Sequence, residues 1–173
     1  ALTSFNKAIL LNEMNPNLYF NRGLTYEKIE DYNAAIEDID KAISINQKDH
    51  YLISKAYCLL YLQKFDQSYM TISKLKNKDF EYYNFLANYY RLKGEYQEAF
   101  STIESISSNE DKRYIGTKAA IYSSMGDDEN FYEYLDKVLS EGIKAEKFMR
   151  DIKDKYKNEK KFIEILDRHN QKL

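Results

Sequence analysis

Residues 82–100 read YYNFLANYYRLKGEYQEAF. Tyr83, Leu86, Ala87 and Tyr90 fall at i, i+3, i+4 and i+7, the spacing that puts four side chains on one stripe of an α-helix. KGEY then interrupts the pattern, and Ala99, Ile103 and Ile106 mark the stripe of a second helix. Small residues at Ala87 and Ala99 let the two backbones approach closely, so the stretch predicts an antiparallel helix pair. At about 100° per residue, Asn84, Asn88 and Arg91 turn a quarter to a third of the way round from the stripe, while Tyr82 and Tyr89 flank it.

Outward from this pair, the same features recur in register. Gly23, Ala56, Ala87 and Ala119 are small residues at intervals of 33, 31 and 32. Ala35, Ser68, Ala99 and Phe131 keep those intervals, as do Tyr32, Phe65, Tyr96 and Asp128, and Ala42, Leu75, Ile106 and Val138. Four columns in phase define a repeat of one helix pair per unit, and a period in this range is the mark of a stacked array. With one proline and five glycines in 173 residues, little else punctuates the chain.

The pattern resembles the tetratricopeptide repeat, with its W-x2-L-G-x2-Y, A-x3-F and late proline over about 34 residues. Tyr19, Gly23, Tyr26, Ala35, Ile39 and Ala42 match it in one unit, and Tyr83, Leu86, Ala87, Tyr90, Gly94, Tyr96 and Ala99 in another. The units between and after are weaker, with Lys55 and Lys118 where leucine is usual. The resemblance implies an all-α fold, a right-handed superhelical solenoid of antiparallel helix pairs over residues 1–142. Its expected repeats are 16–48, 49–79, 80–110 and 111–142. Residues 1–15, with Ala1, Phe5 and Ala8 aligned to Ala35, Ile39 and Ala42, are expected to form the second helix of a further repeat whose first helix is missing. Residues 143–173 leave the pattern, and a C-terminal helical cap is expected there, with Tyr156, Phe162, Ile163 and Leu166 on its apolar side.

Composition narrows the function. A charged fraction of 31% with 43% hydrophobic residues describes a globular domain. The net charge of -2 supplies no general attraction to nucleic acid or an anionic membrane. After Gly142 there are ten Lys and Arg against six Asp and Glu, so the tail alone is mildly basic. Cys58 has no partner cysteine, His50 and His169 are far apart in sequence, and no apolar run reaches the roughly 20 residues that span a bilayer. No Gly-rich phosphate loop or nucleophile, zinc or triad motif is present, so no enzyme, cofactor or metal centre is expected. Acidic groups such as Asp38 and Asp40 beside Glu37 read as helix surface.

The resemblance places a ligand surface on the first helices of the pairs. It implies a protein or peptide partner lying in the concave groove, against Phe20, Leu24, Ile53, Tyr57 and Tyr61, with Asn84, Asn88 and Arg91 as its polar end. The two asparagines can hydrogen-bond a ligand backbone, since each amide both donates and accepts. Farther along, Arg113, Gly116, Ala120, Ser123 and Ser124 complete the groove. Arg22 and Asp38 match a family variant in which the two form an ion pair within the repeat. The clamp that some relatives use for a C-terminal carboxylate is not matched: one frame gives Phe20, Leu24, Ser54, Glu81 and Phe85, the next Ile53, Tyr57, Phe85, Arg113 and Thr117.

An alternative is the targeting or assembly portion of a larger enzyme or membrane-associated protein, with no membrane insertion by this segment itself. A nucleic-acid binder stacking bases on Tyr57, Tyr61, Tyr82 and Tyr89 is disfavoured, because Lys28, Arg91 and Arg113 in the groove are offset by Glu27 and Glu81. Self-association through an open N-terminal edge near Ile9 and Leu10 is a further expectation.

Overall fold

The computed structural model describes residues 1–105, 114–144 and 152–171; Ile106 and Arg113 lie outside them. Every regular element among these residues is a helix. In chain order they are α1 (Leu2–Leu11), α2 (Pro16–Lys28), α3 (Tyr32–Ile45), α4 (Asp49–Tyr61), α5 (Phe65–Ile72), α6 (Phe80–Lys93), α7 (Tyr96–Glu104), α8 (Ile115–Met125), α9 (Asp128–Ser140), α10 (Lys153–Tyr156) and α11 (Lys160–Arg168).

The local chemistry explains where helices start. Asn15 caps α2, its side-chain oxygen accepting from the Asn17 amide at 3.0 Å, and Pro16 opens the helix where its missing N–H is not needed. Asp31 caps α3 by accepting from Ala34 N, and Asp127 caps α9 by accepting from Asn130 N, each at 3.1 Å.

The turn inside each pair is equally regular. Glu30, Gln63, Gly94 and Gly126 adopt left-handed conformations with φ of 63°, 57°, 81° and 78°. They are spaced like the sequence columns. In each turn the next residue's amide reaches back over the helix end: Asp31 N to Tyr26 O, Lys64 N to Leu59 O, Glu95 N to Tyr90 O and Asp127 N to Tyr122 O, at 2.9–3.0 Å. These are the closing bonds of a left-handed helix stop.

The chain forms two compact units, Ala1–Phe85 and Leu86–Leu173, with the division inside α6. In the first, α1 packs on α2, α2 on α3, α3 on α4 and α4 on α5. Ile9, Tyr19, Ala35, Ile39, Ala42, Tyr51 and Cys58 form its core. The small column is where α2 meets α3: a Cβ on Gly23 would lie 3.0 Å from Ile39 Cγ1 and 3.2 Å from the Ala35 carbonyl oxygen. One pair later, Ser68 Oγ donates to the Ala56 carbonyl at 2.7 Å, satisfying a hydroxyl at the corresponding contact.

In the second unit α7 packs on α8, α8 on α9 and α11 on α9. Phe131 stacks on Tyr156 with ring centres 4.1 Å apart, and Phe162, Ile165 and Leu166 of α11 close the same core. Ile163 departs from expectation. It is 43% exposed, and Ile165 takes the inward position, because Phe162, Ile165 and Leu166 already make a complete i, i+3, i+4 stripe.

The packing of α6 also differs from the sequence reading. Ala87 is fully buried, but Tyr83, Leu86 and Tyr90 are half-buried, and the deeply buried rings are Tyr82, Phe85 and Tyr89. A first helix in a stacked array is covered on more than one side. A single stripe therefore understates what it buries.

Candidate functional site

In the first unit, the first helices carry two groups of ring contacts. Phe20 of α2 meets His50 edge-on at 5.1 Å and Tyr51 at 4.5 Å, both from α4. Tyr61 stacks on Tyr32 at 5.4 Å and lies 6.5 Å from Tyr57, whose ring meets Phe85 edge-on at 5.1 Å. Phe20, Leu24, Ile53, Tyr57 and Tyr61 are each half-buried, so they are packed on one side and keep apolar surface in reach of solvent. Asn84 is half-buried too and donates from Nδ2 to the Tyr57 hydroxyl at 3.3 Å. Burial, followed by the nearby charge of Lys48, holds the His50 imidazole below its ordinary value, so it favours the neutral form beside Phe20.

In the second unit, Asn88 is half-buried and Arg91 is only 3% exposed. Arg91 Nε and Nη2 donate to Asn88 Oδ1 at 3.3 and 3.2 Å, and Nη1 donates to Ser124 Oγ at 3.1 Å. Arg91 is thus a packed side chain that orients Asn88 and Ser124, where the sequence suggested a surface contact. Ala120 and Ser123 are buried as well. Tyr82 and Tyr89, which base stacking would require, are 5% and 8% exposed. Their faces are occupied within the protein.

Arg22 and Asp38 form a bidentate pair, with Nε to Oδ2 and Nη2 to Oδ1 both at 2.6 Å. The hydrogen bond to Asp38 is the main cause that raises the Arg22 guanidinium further above its ordinary value, against the opposing effect of burial. Arg22 Nη1 also donates to Asn6 of α1 at 2.7 Å. The same column holds Lys55, whose Nζ lies 2.5 Å from Asp40 Oδ1 on α3. Cations at a usual leucine position are legible in sequence. Asp40 as the partner of Lys55 was not, because it lies on the preceding pair.

These features define a protein built from antiparallel helix pairs repeated in tandem, with a half-buried aromatic surface on its first helices. The chain carries a tetratricopeptide repeat: residues 16–49 match that family's model. Such repeats mediate protein–protein interaction. The chain is also 28% identical to serine/threonine-protein phosphatase 5 of Rattus norvegicus, and equally to those of Homo sapiens and Mus musculus. Each match covers 93% of this chain and 32% of the relative, so the chain spans about a third of the length of these curated relatives. Among the described residues, no helix is long and apolar enough to cross a membrane.

Proposed function

We propose that this chain is a non-enzymatic interaction segment that binds an extended peptide or short helix against Phe20, Leu24, Ile53, Tyr57 and Tyr61. Asn84 on α6, in the same unit, supplies hydrogen bonds to the ligand backbone. The observation that carries this reading is the half-burial of those five apolar side chains together on α2 and α4, while Tyr51, Ala56 and Cys58 on α4 are fully buried. Apolar surface gathered in this way usually marks an interaction site.

The test is capture of partners from lysate by the wild-type chain and by the Tyr57→Ala, Asn84→Ala double variant, followed by calorimetry with each partner peptide. Partners are expected to be lost or weakened tenfold or more; undiminished capture removes these residues from the binding surface.

Two further readings have their own support. The relatives are named as protein phosphatases and are about three times as long, which supports a targeting role for such a segment within a larger enzyme. Leu10 and Leu11 are 76% and 89% exposed on α1, which supports self-association along that edge. Ile9 beside them is buried, so the apolar edge is formed by Leu10, Leu11 and the exposed Met14. A concentration-dependent mass in light scattering, abolished by Leu10→Ser, Leu11→Ser, is the expected outcome.

A further inference from the structure

Residues 67–78 hold three lysines and no aspartate, glutamate or arginine, in a chain whose net charge is -2. They run from inside α5 through the loop to α6, all within the first unit. Ser68, Thr71, Ile72 and Leu75 are buried at i, i+3, i+4 and i+7, so this stripe turns inward. The opposite side carries Met70, 66% exposed, with Tyr69 beside it at 42%. The helical turn continues past α5, with Ser73 N donating to Tyr69 O at 3.0 Å and Leu75 N to Ile72 O at 3.1 Å. Lys74, four residues after Met70, therefore keeps to the same outward side. Buried Leu75 then pins the chain, and Lys76 and Lys78 stand exposed in the loop.

These charges are available to a partner. Lys74, Lys76 and Lys78 form no ion pair among the described residues. Lys78 Nζ lies 5.3 Å from the centre of the Tyr82 ring, a contact that leaves its charge uncancelled. The carboxylates that flank the stretch in sequence are placed at helix starts. Asp79 Oδ1 accepts from Glu81 N at 3.1 Å as α6 begins, and Asp66 lies in the first turn of α5, where the helix dipole favours it.

We infer that the outward side of α5 and the loop after it dock on the surface of an anionic lipid bilayer. Tyr69 and Met70 enter the headgroup layer, and Lys74, Lys76 and Lys78 lie against the lipid phosphates and carboxylates. Lysine ammoniums are point charges on flexible stems, which suits a diffuse anionic surface; paired recognition of one shaped anion calls for arginine, absent from residues 67–78. Binding of this kind grows with the apolar area buried as well as with the charge attraction, so the exposed Met70 favours a bilayer over a polynucleotide. Each lysine contributes about fivefold in affinity near such a surface, so the attachment is reversible. The patch lies on α5, a second helix, and does not depend on the aromatic surface of α2 and α4.

The experiment is co-sedimentation of the whole chain with vesicles of phosphatidylcholine alone and of phosphatidylcholine with about 30% phosphatidylserine. Saturable binding is expected to the anionic vesicles and none to the neutral ones, with loss as salt rises from about 0.1 M to about 0.5 M. Lys74→Gln, Lys76→Gln, Lys78→Gln together should weaken it by roughly a hundredfold, and Met70→Ser by about threefold or more. If the triple variant fails to fold, Lys76→Gln alone, in the exposed loop, is expected to weaken it about threefold or more. Absence of binding, equal binding to neutral vesicles, unchanged affinity in the folded variants, or displacement of the vesicles by polyuridylate at equal phosphate concentration would each overturn the inference. Tyr57 and Asn84 are intact in all these variants, so vesicle binding and peptide capture can fail independently.

Discussion

Arg22 holds both carboxylate oxygens of Asp38, joining α2 to α3 across their shared contact. The side chains are 21% and 8% exposed, so water shields the pair only partly. Removing one partner leaves the other charge in a poorly hydrated place. Asp38→Ala is expected to lower unfolding stability by about 2–4 kcal/mol, near the range for broken buried pairs. Arg22→Leu, Asp38→Ala together should cost clearly less than the sum of the single changes. Urea unfolding of the four proteins checks this, and strictly additive losses would show that the pair is not coupled.

Gly23 sits at the closest approach of the same two helices. A methyl group there would press on the Ala35 carbonyl at 3.2 Å, which is backbone and cannot turn aside, as well as on Ile39 Cγ1 at 3.0 Å. Gly23→Ala is therefore expected to destabilise by about 1–3 kcal/mol despite alanine's better helix propensity. A thermal midpoint at or above wild type would contradict the close approach of α2 and α3.

The turns separate backbone strain from crowding. At Gly94 nothing lies within 4 Å of an added Cβ, yet φ is +81°, so Gly94→Ala should cost about 1–2 kcal/mol through conformation alone. Gln63 occupies the equivalent turn at φ 57° with a side chain. Gln63→Gly relieves that strain and is expected to be neutral or to stabilise by up to about 1 kcal/mol. Opposite signs at two equivalent positions are the readout, obtained from chemical denaturation midpoints.

Much of this architecture was legible in the chain. The column Gly23, Ala56, Ala87 and Ala119 lies at the buried contacts, and the left-handed turn residues follow its spacing. The periodicity could not say which large residues of α6 are deepest, because it registers one buried face and α6 buries more than one. That is why Tyr82 and Tyr89 prove to be core while Tyr83 and Tyr90 are half-buried. Similarly, Arg91 reads from its position as a surface cation. Its burial follows from Asn88 and Ser124, the latter 33 residues away on α8, a partnership that no local pattern encodes. The reach of Lys155 to Ser123 O and Asp128 was invisible for the same reason, since it comes from the segment where the repeat pattern stops.

Tyr156 yields a pH prediction of definite sign. Its ring is 1% exposed, and its hydroxyl donates to Asp128 Oδ1 at 2.5 Å. Burial, then the hydrogen bond to Asp128, raises its ionisation above the ordinary value of 10.0. In the unfolded chain a tyrosine gives up its proton near pH 10, whereas the folded Tyr156 retains it to higher pH. Above about pH 10 the unfolded state thus binds fewer protons than the folded state, and stability falls as pH rises toward the folded value. Below that window the contribution is fully present. Tyr82, Tyr122 and Tyr132 are raised by burial as well and add to the same alkaline loss. Tyr156→Phe is expected to lose about 1 kcal/mol at neutral pH, from the missing hydrogen bond, but to decline less steeply between about pH 9.5 and pH 11. Urea midpoints across that range check it. Parallel curves for the two proteins would mean that Tyr156 ionises alike in both states, and so that α10 does not keep it buried in solution.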